Sequence, residues 1–587
     1  MFKLLKYLTS KEWLLIGVSL VFIVASVWLD LKLPDYMSKI TELIQTSGAI
    51  SEVWLAGGYM ILCTLGSLVA AIIVGFFAAR IGASFSQRVR SLLFNKVESF
   101  SMEEINRFST SSLITRSTND ITQVQMLIVL ALQLVIKAPI LAVWAIFKIA
   151  GKGFEWSLAT GVAVLGVSIM VVVLMVFLVP KFKKMQTLTD NITRVTRENL
   201  MGLRVVRAYN AEDYQKAKFE AANKELTDTH LFAGRALALM LPTLMVIMNL
   251  LSLAIYWIGA FLIDAAQLAT DKLSLFTDMV IFSTYAMMVI MSFMMLVIIF
   301  IMWPRASVSA KRINEVLDTE PRIIDGVETT GKSGLVGEVV FNNVSFKYPD
   351  AVDFVLKNVS FTAKQGETVA FIGSTGSGKS TLINLIPRFF DVTEGEVLID
   401  GVNVKDYKLE ALCNKIGYVP QKAVLFKGTV EFNVAYGDNG GAEFSIDEVK
   451  KAIQIAQGTD FVEKMPDGYG AAISQGGTNV SGGQKQRLAI ARAVCRKPEI
   501  YIFDDSFSAL DYKTDRILRS ALKQETAGVT SLIVAQRIGT IMDADQIIVL
   551  DEGKIVGKGT HNELLRNCVV YKEIAMSQLN EEELYRE

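Results

Sequence analysis

Gly373-Ser374-Thr375-Gly376-Ser377-Gly378-Lys379-Ser380-Thr381 is the stretch on which the reading of this chain turns. A strand-like run, Thr368–Ile372, precedes it and a helix-like run, Leu382–Phe389, follows. A glycine-spaced loop between strand and helix is the setting a phosphate-binding loop requires. The glycines let successive backbone N–H groups wrap a phosphate, and the helix N-terminus adds positive potential. Lys379 is placed to pair with the β and γ phosphates, and Ser380 to ligate Mg²⁺.

Downstream, Tyr501-Ile502-Phe503-Asp504 is an apolar strand ending in an aspartate, the expected second Mg²⁺ contact. Between the two lies Ser481-Gly482-Gly483-Gln484, which opens a helix over Gln484–Val494 and supplies a second anion-binding helix end. One nucleotide needs one phosphate loop, so a second phosphate-binding helix end implies two chains with nucleotide between them.

Upstream the character changes. Ala306–Leu317 reads as the end of a long helix, 318–337 as a polar linker, and 338–587 as the nucleotide-binding domain. Residues 1–317 hold most of the apolar excess in a chain that is 51% apolar. A helix needs ~20 apolar residues to cross a bilayer. Six runs qualify or nearly do: Trp13–Leu33, Val53–Ala79, Met126–Ile149, Trp156–Val179, Leu237–Ile263 and Met279–Trp303. Pro180 and Pro304 sit just past the fourth and sixth, where a proline tolerates a change of direction. The fold class is therefore a multi-domain membrane protein: an all-α six-helix transmembrane domain plus an α/β nucleotide-binding domain.

Orientation follows from Lys and Arg. The loop after the second run carries Arg80, Arg88, Arg90, Lys96, Arg107 and Arg116, and the loop after the fourth carries eleven basic residues from Lys181 to Arg235. The other loops carry one or two each. The N-terminus, both long loops and everything after Arg305 are expected in the cytosol. Helical patterning over Arg80–Phe100 and Lys181–Leu231 predicts helices continuing well beyond the membrane, with breaks near Phe108–Leu113 and Met201–Val205.

Lys137 lies inside the third run and reads either as a substrate or ion contact or as a structural residue near the cytosolic interface that snorkels or pairs; the structural reading is preferred. The sixth run holds seven methionines (Met279, Met287, Met288, Met291, Met294, Met295, Met302), which suits either an adaptable apolar binding wall or ordinary helix packing. Equal numbers of basic and acidic residues, 59 of each, give no support to a nucleic-acid role. Four scattered cysteines suggest neither disulfides nor a zinc site. The first run reads as a retained span, not a cleaved signal.

The order of phosphate loop, Gln421, Ser-Gly-Gly-Gln, Asp504 and Ser508-Ala509-Leu510-Asp511 resembles an ATP-binding cassette, and with six preceding spans the chain resembles a half-transporter of the ABC exporter family with multidrug-efflux architecture. The resemblance implies ATP and Mg²⁺ as ligands, and a second half-transporter, membrane lipids and a hydrophobic small molecule as partners, in the cell membrane. It implies adenine stacking on Tyr348, and contact of Gln421 with Mg²⁺ and the attacking water. It implies contact of Ser481, Gly482, Gly483 and Gln484 with nucleotide on the partner cassette, and places Asp511 between cassettes. Thr110–Thr115 and Gly202–Arg207 match the coupling helices, and His561 a structural C-terminal element.

Two positions depart from the family pattern. Asp505 stands where the family usually has the glutamate that polarises the attacking water, and Gln536 where it has a histidine against the γ phosphate. Aspartate is one methylene shorter, and reach precedes pKa in general-base catalysis. Gln475, just before the signature, is a further departure with no assigned consequence. The expectation is a heterodimer in which this chain supplies a slow, ATP-holding site and an intact signature; the alternative is an active homodimer with tolerated variants. Lipid or peptide export and a regulatory ATP-binding subunit are the rival functions. Peptide-processing exporters carry an N-terminal protease domain, for which no room is expected before Trp13. An importer, an ATP-gated channel and a soluble NTPase are disfavoured by the fused layout, the span composition and the six spans.

Overall fold

The computed structural model describes all residues except 47, 151, 350, 439, 440, 442, 443, 526, 580–583 and 585–587. The chain forms two compact units, one of Met1–Glu98 with Thr110–Thr319, the other of Ser99–Ser109 with Glu320–Glu587.

Among the described residues the first unit has six long helices: α1 (Ser10–Gln45), α2 (Ile50–Glu98), α4 (Thr110–Ile149), α5 (Phe154–Met201), α7 (Glu212–Ala265) and α8 (Ala269–Leu317). Short helices α3 (Met102–Phe108) and α6 (Leu203–Ala208) interrupt the series. Each long helix contains one of the six apolar runs, and α2, α5 and α7 continue well past theirs, as the patterning predicts. Helix continues past both Pro180 and Pro304, which sit just beyond the fourth and sixth apolar runs. Both prolines lie inside continuous helices, α5 and α8, as Pro34 and Pro242 do inside α1 and α7. A proline inside a membrane helix is tolerated where local adjustment and neighbouring groups satisfy the freed carbonyl.

The break near Phe108–Leu113 falls at Ser109, whose φ of 60° ends α3. Thr110–Thr115 is not a separate helix but the opening of α4. The discrete short helix is Met102–Phe108, set by a capping box between Ser101 and Glu104. It belongs to the second unit, where Arg322 bonds Glu103 (Nη1 to Oε1, 2.8 Å) and its backbone N–H donates to Glu104 (3.2 Å).

Lys137 is paired: its Nζ lies 3.0 Å from Asp30 Oδ2 and 3.3 Å from Ser26 Oγ, and the Ser67 hydroxyl donates to the other Asp30 oxygen. It sits nearer the Ile149 end of α4 than the Thr110 end, so it is not at the interface expected to be cytosolic. Asp30 is a charge inside the first apolar run that the sequence reading passed over. A second cluster follows toward the same end: Asp35 accepts from Lys148 (2.7 Å) and from Tyr285 Oη (2.6 Å), and Lys152 meets Asp278 (2.6 Å). These bonds tie α1, α4 and α8, where an unpaired charge would be costly. Met279, Phe282 and Tyr285 of the Met-rich helix are buried between helices, with Met288 and Met294 packed against them, while Met291 is exposed.

The second unit is an α/β domain. A six-stranded sheet runs in the order β10-β9-β3-β8-β7-β6, with β3 (Thr368–Gly373), β6 (Ile416–Val419), β7 (Ile500–Asp504), β8 (Thr530–Val534), β9 (Gln546–Asp551) and β10 (Lys554–Gly559). All its pairings except β9–β10 are parallel. Strands β3, β7, β8 and β9 are almost wholly buried, the mark of a sheet covered on both faces. A second, antiparallel sheet of order β2-β1-β4-β5 adds β1 (Val339–Phe346), β2 (Leu356–Ala363), β4 (Glu394–Ile399) and β5 (Val402–Asn403).

The stretch read as a linker is docked from Arg322 onward, with Arg388 Nη1 donating to Ile324 O (3.0 Å). Gly326 N donates to Tyr407 O, Glu328 N to Asp406 O and Lys332 N to Asp400 O. A Cβ on Gly326 would lie 2.2 Å from Asp406 O, so only glycine admits this approach.

Candidate functional site

The site forms at one end of four adjacent parallel strands, the place where open α/β sheets bind ligands. β3 leads into the glycine loop, β6 into Pro420-Gln421, β7 into Asp504-Asp505, and β8 into Ala535-Gln536. Strand order thus brings together residues separated by up to 163 positions in the chain.

The glycine loop closes on helix α9 (Lys379–Asn384), which begins three residues before the expected helix-like run and ends five residues short of that run's end. Gly376 (φ 86°) and Gly378 (φ 98°) take left-handed conformations that favour glycine. A Cβ on Gly373 would lie 2.0 Å from Leu550 O. Lys379 folds back over the loop, its Nζ donating to Gly373 O (2.8 Å), Ser374 O (2.7 Å) and Ser377 Oγ (3.2 Å). Burial pushes its ammonium below the ordinary lysine range, opposed by Asp505 and Asp504. A polyanion in the loop would restore what burial removes. Thr375 completes the loop, and Thr381 is buried in α9.

Ser380 Oγ donates to Asp504 Oδ1 at 2.9 Å. Burial raises the Asp504 carboxyl above its usual range, and the Ser380 hydrogen bond opposes this. This hydroxyl–carboxylate pair is an oxygen-only donor set that fits Mg²⁺. Among the described residues no cluster of three His, Cys, Asp or Glu exists. A metal here would therefore draw other ligands from phosphate and water, as Mg²⁺ does in nucleotide sites.

The two departures from the family pattern meet at one atom. Asp505 Oδ2 accepts from Gln536 Nε2 (2.9 Å) and from Gln421 Nε2 (3.3 Å). Asp505 turns the chain directly after β7 with a left-handed φ of 44°, and its N–H donates to Val534 O (3.0 Å). The side chain is 7% exposed, and burial raises its carboxyl, opposed first by the Gln421 amide. Gln536 is itself held from behind: Gln578 Nε2 donates to Gln536 O and Gln578 Oε1 accepts from Ile538 N, both at 2.9 Å.

Tyr348 stands edge-on to Phe346 and Phe390, and its hydroxyl lies 3.0 Å from Thr381 Oγ1. One face of the site is therefore aromatic, directly beside the phosphate-loop helix.

Ser481 caps helix α10 (Gly482–Cys495) through a capping box with Gln484, whose Oε1 accepts from Ser481 N (2.8 Å). Gln486, which sequence reasoning missed, is buried and donates to Pro420 O (3.3 Å), linking α10 to the residue before Gln421. A polar residue facing inward on an otherwise apolar helix side was the available signal. Asp511 is exposed and bonds the Thr514 N–H (3.0 Å), which holds its carboxyl below the usual range. His561 is enclosed between Tyr571 Oη (2.6 Å) and Leu584 O (3.0 Å), a structural setting.

Six membrane-length helices fused to a phosphate-loop sheet define a membrane-spanning, ATP-binding protein. Residues 16–293 match the family of the ABC transporter transmembrane region and residues 356–508 the ABC transporter family. The chain is 37% identical over 577 residues to the uncharacterized ABC transporter ATP-binding protein YfiB of Bacillus subtilis, covering 97% of each. It is 32% identical over 474 residues to the ATP-dependent lipid A-core flippase of Pseudomonas aeruginosa, covering 80% of this chain and 76% of that one. Its fold is that of a bacterial Atm1-family ABC exporter solved with ATP bound (TM-score 0.79, 24% identity, 98% of this chain and 99% of that one). The chain belongs to the ABC transporter family, as a half-transporter with an N-terminal transmembrane domain fused to an ABC ATPase domain.

Proposed function

We propose that this chain is one half of a heterodimeric exporter of hydrophobic or amphipathic compounds, and that its own nucleotide site is slow. The observation that carries the reading is the closed cluster at Asp505 Oδ2, where two amides occupy the oxygen a general base would need. An amide at 536 cannot bring the charge of an imidazolium to a phosphate. An aspartate at 505 stops short of the water a glutamate would reach.

In this reading the loop 373–381 binds the phosphates, Lys379 neutralises them, and Tyr348 stacks on adenine. Ser380, Asp504 and Gln421 would hold Mg²⁺, which supplies charge neutralisation to the phosphates when bound. Asp505 and Gln536 hold each other in place of activating water. Ground-state contacts survive while transition-state contacts are lost, so turnover falls more than affinity. Ser481–Gln484 would complete the partner's site, where the partner supplies glutamate and histidine. Residues 1–317 form the transmembrane domain, 318–337 the connection and 338–587 the cassette. The N-terminus and cassette lie in the cytosol of a cell-membrane protein, and the segments around Met102–Thr115 and Gly202–Arg207 couple cassette to membrane helices.

Relatives named lipid A-core flippases favour a second reading in which the cargo is a lipid. The test uses the chain with its co-expressed cassette partner in proteoliposomes, following an amphipathic fluorescent dye and a fluorescent lipid. ATP-dependent dye movement is expected, abolished when the phosphate-loop lysine of both chains is replaced. Movement of lipid alone would favour the flippase reading, and movement of neither by an ATP-hydrolysing complex would refute export.

A further inference from the structure

A crevice of about 480 Å³ lies between the first turn of α1 and the segment Arg80–Arg88 of α2. Its floor is an internally satisfied ion pair. Glu12, 4% exposed, accepts from Arg88 Nη1 (2.9 Å) and Nη2 (3.2 Å) and from the Thr9 N–H (2.7 Å). Arg88 Nη1 also donates to Tyr7 O (2.6 Å), pinning the chain that enters α1.

The rim is different. Lys11 and Arg80 line the crevice, are exposed, and have no hydrogen-bond or ion-pair partner among the described residues. With Glu12 balanced by Arg88, these two cations leave a net positive site.

Their position decides what can enter. The apolar run of α1 begins at Trp13, just after Lys11, and that of α2 ends at Ala79, just before Arg80. Both cations therefore mark the same edge of the apolar band, the level of lipid headgroups. Trp13, Leu14 and Phe76 beside them are exposed, with the tryptophan placed as interfacial aromatics are. A crevice at that level, flanked by exposed apolar side chains, opens onto lipid.

We propose that this crevice binds the phosphate headgroup of an anionic phospholipid, with Lys11 and Arg80 as its two cationic ligands. Basic pockets between membrane helices recognise such headgroups, and a zwitterionic headgroup would bring its own cation against the same charges. The site does not depend on the export reading. Only the choice of leaflet, the cytosolic one, follows from the orientation proposed above.

The full chain is reconstituted in nanodiscs of phosphatidylcholine doped with phosphatidylglycerol, and retained lipid is counted by native mass spectrometry on release. Selective retention of phosphatidylglycerol is expected, weakening as salt rises. Lys11→Gln with Arg80→Gln is expected to weaken it about 30-fold, equivalent to about 1 kcal/mol per cation. Arg90→Gln, exposed on α2 outside the crevice, should change nothing. Equal retention of both lipids by the wild-type chain would overturn the proposal without recourse to any variant. Unchanged retention in the double variant would also overturn it. Because the readout is bound lipid, the outcome is separate from transport or ATP hydrolysis.

Discussion

Replacing Asp505 by glutamate and Gln536 by histidine should convert a holding site into a hydrolysing one. In the wild-type chain Asp505 Oδ2 accepts from Gln536 at 2.9 Å and Gln421 at 3.3 Å. Each amide bond to an ionised carboxylate contributes about 1.5–3 kcal/mol, and both would have to break before that oxygen took a proton from water. Glutamate extends the carboxylate by one C–C bond, about 1.5 Å, beyond this amide pair. Histidine at 536 removes the nearer amide and restores a donor that can carry charge. A well-placed general base contributes about 10²–10⁴-fold, so the double variant should hydrolyse about 100-fold faster at this site. Affinity for ATP should stay within about twofold, because Lys379, Ser380 and Tyr348 are untouched. The assay is single-turnover hydrolysis in the assembled pair, with the partner's own catalytic glutamate replaced by glutamine so that only this site reports. Asp505→Asn supplies the counter-test: a residue that is not the base should lose less than about threefold. A loss of about 100-fold in Asp505→Asn, with no gain in the double variant, would refute the reasoning.

Other consequences are as specific. Tyr348→Ala should weaken ATP binding about tenfold, within the ~1–3 kcal/mol of a base–aromatic stack, with little change in kcat; nucleotide titration against turnover separates the two. Lys137→Met should destabilise the membrane unit by about 3 kcal/mol by stranding Asp30 in the apolar band, and Asp30→Asn added to it should recover most of the loss, read by thermal unfolding in nanodiscs. Glu448 is held down to about 2, first by Lys497 and then by the Ser445 cap at the start of the helix Ile446–Ile455. A depressed carboxyl contributes stability above its ordinary value of 4.5 that is lost as pH falls toward about 2, so Glu448→Gln should flatten that acid limb in hydrogen exchange at the first turn of this helix.

The nucleotide site was legible because its parts are short local patterns whose chemistry fixes their setting. Gly373–Thr381 needs a strand before it and a helix after it, and both are there. Apolar run length gave six membrane helices, and helical patterning gave their extensions. What escaped the reading depended on partners distant in sequence. Asp30 is one residue in a run that still passes as apolar, and its meaning appears only when α4 brings Lys137 to it. Pro180 and Pro304 mark the ends of apolar runs in sequence, yet the helices continue through both, because run length measures the apolar band and not the helix. The capping box Ser101–Glu104 was a visible signal for the helix Met102–Phe108, which was instead sought a few residues later. Gly326 and its backbone bonds to Asp406 and Tyr407 look like linker chemistry until the surface they dock on is known. Asp505 and Gln536 each read as a loss in sequence; that the two side chains satisfy each other required the geometry of adjacent strand ends.

The central claim is that this chain's site is slow and that rapid hydrolysis needs a different partner chain. Steady-state ATPase activity of the purified chain, alone and with its co-expressed neighbouring cassette protein, tests it most directly. A nearly silent lone chain and an active complex are the expected result. Brisk hydrolysis by the lone chain as a homodimer, at the rate of the complex, would contradict it and make Asp505 and Gln536 harmless variants.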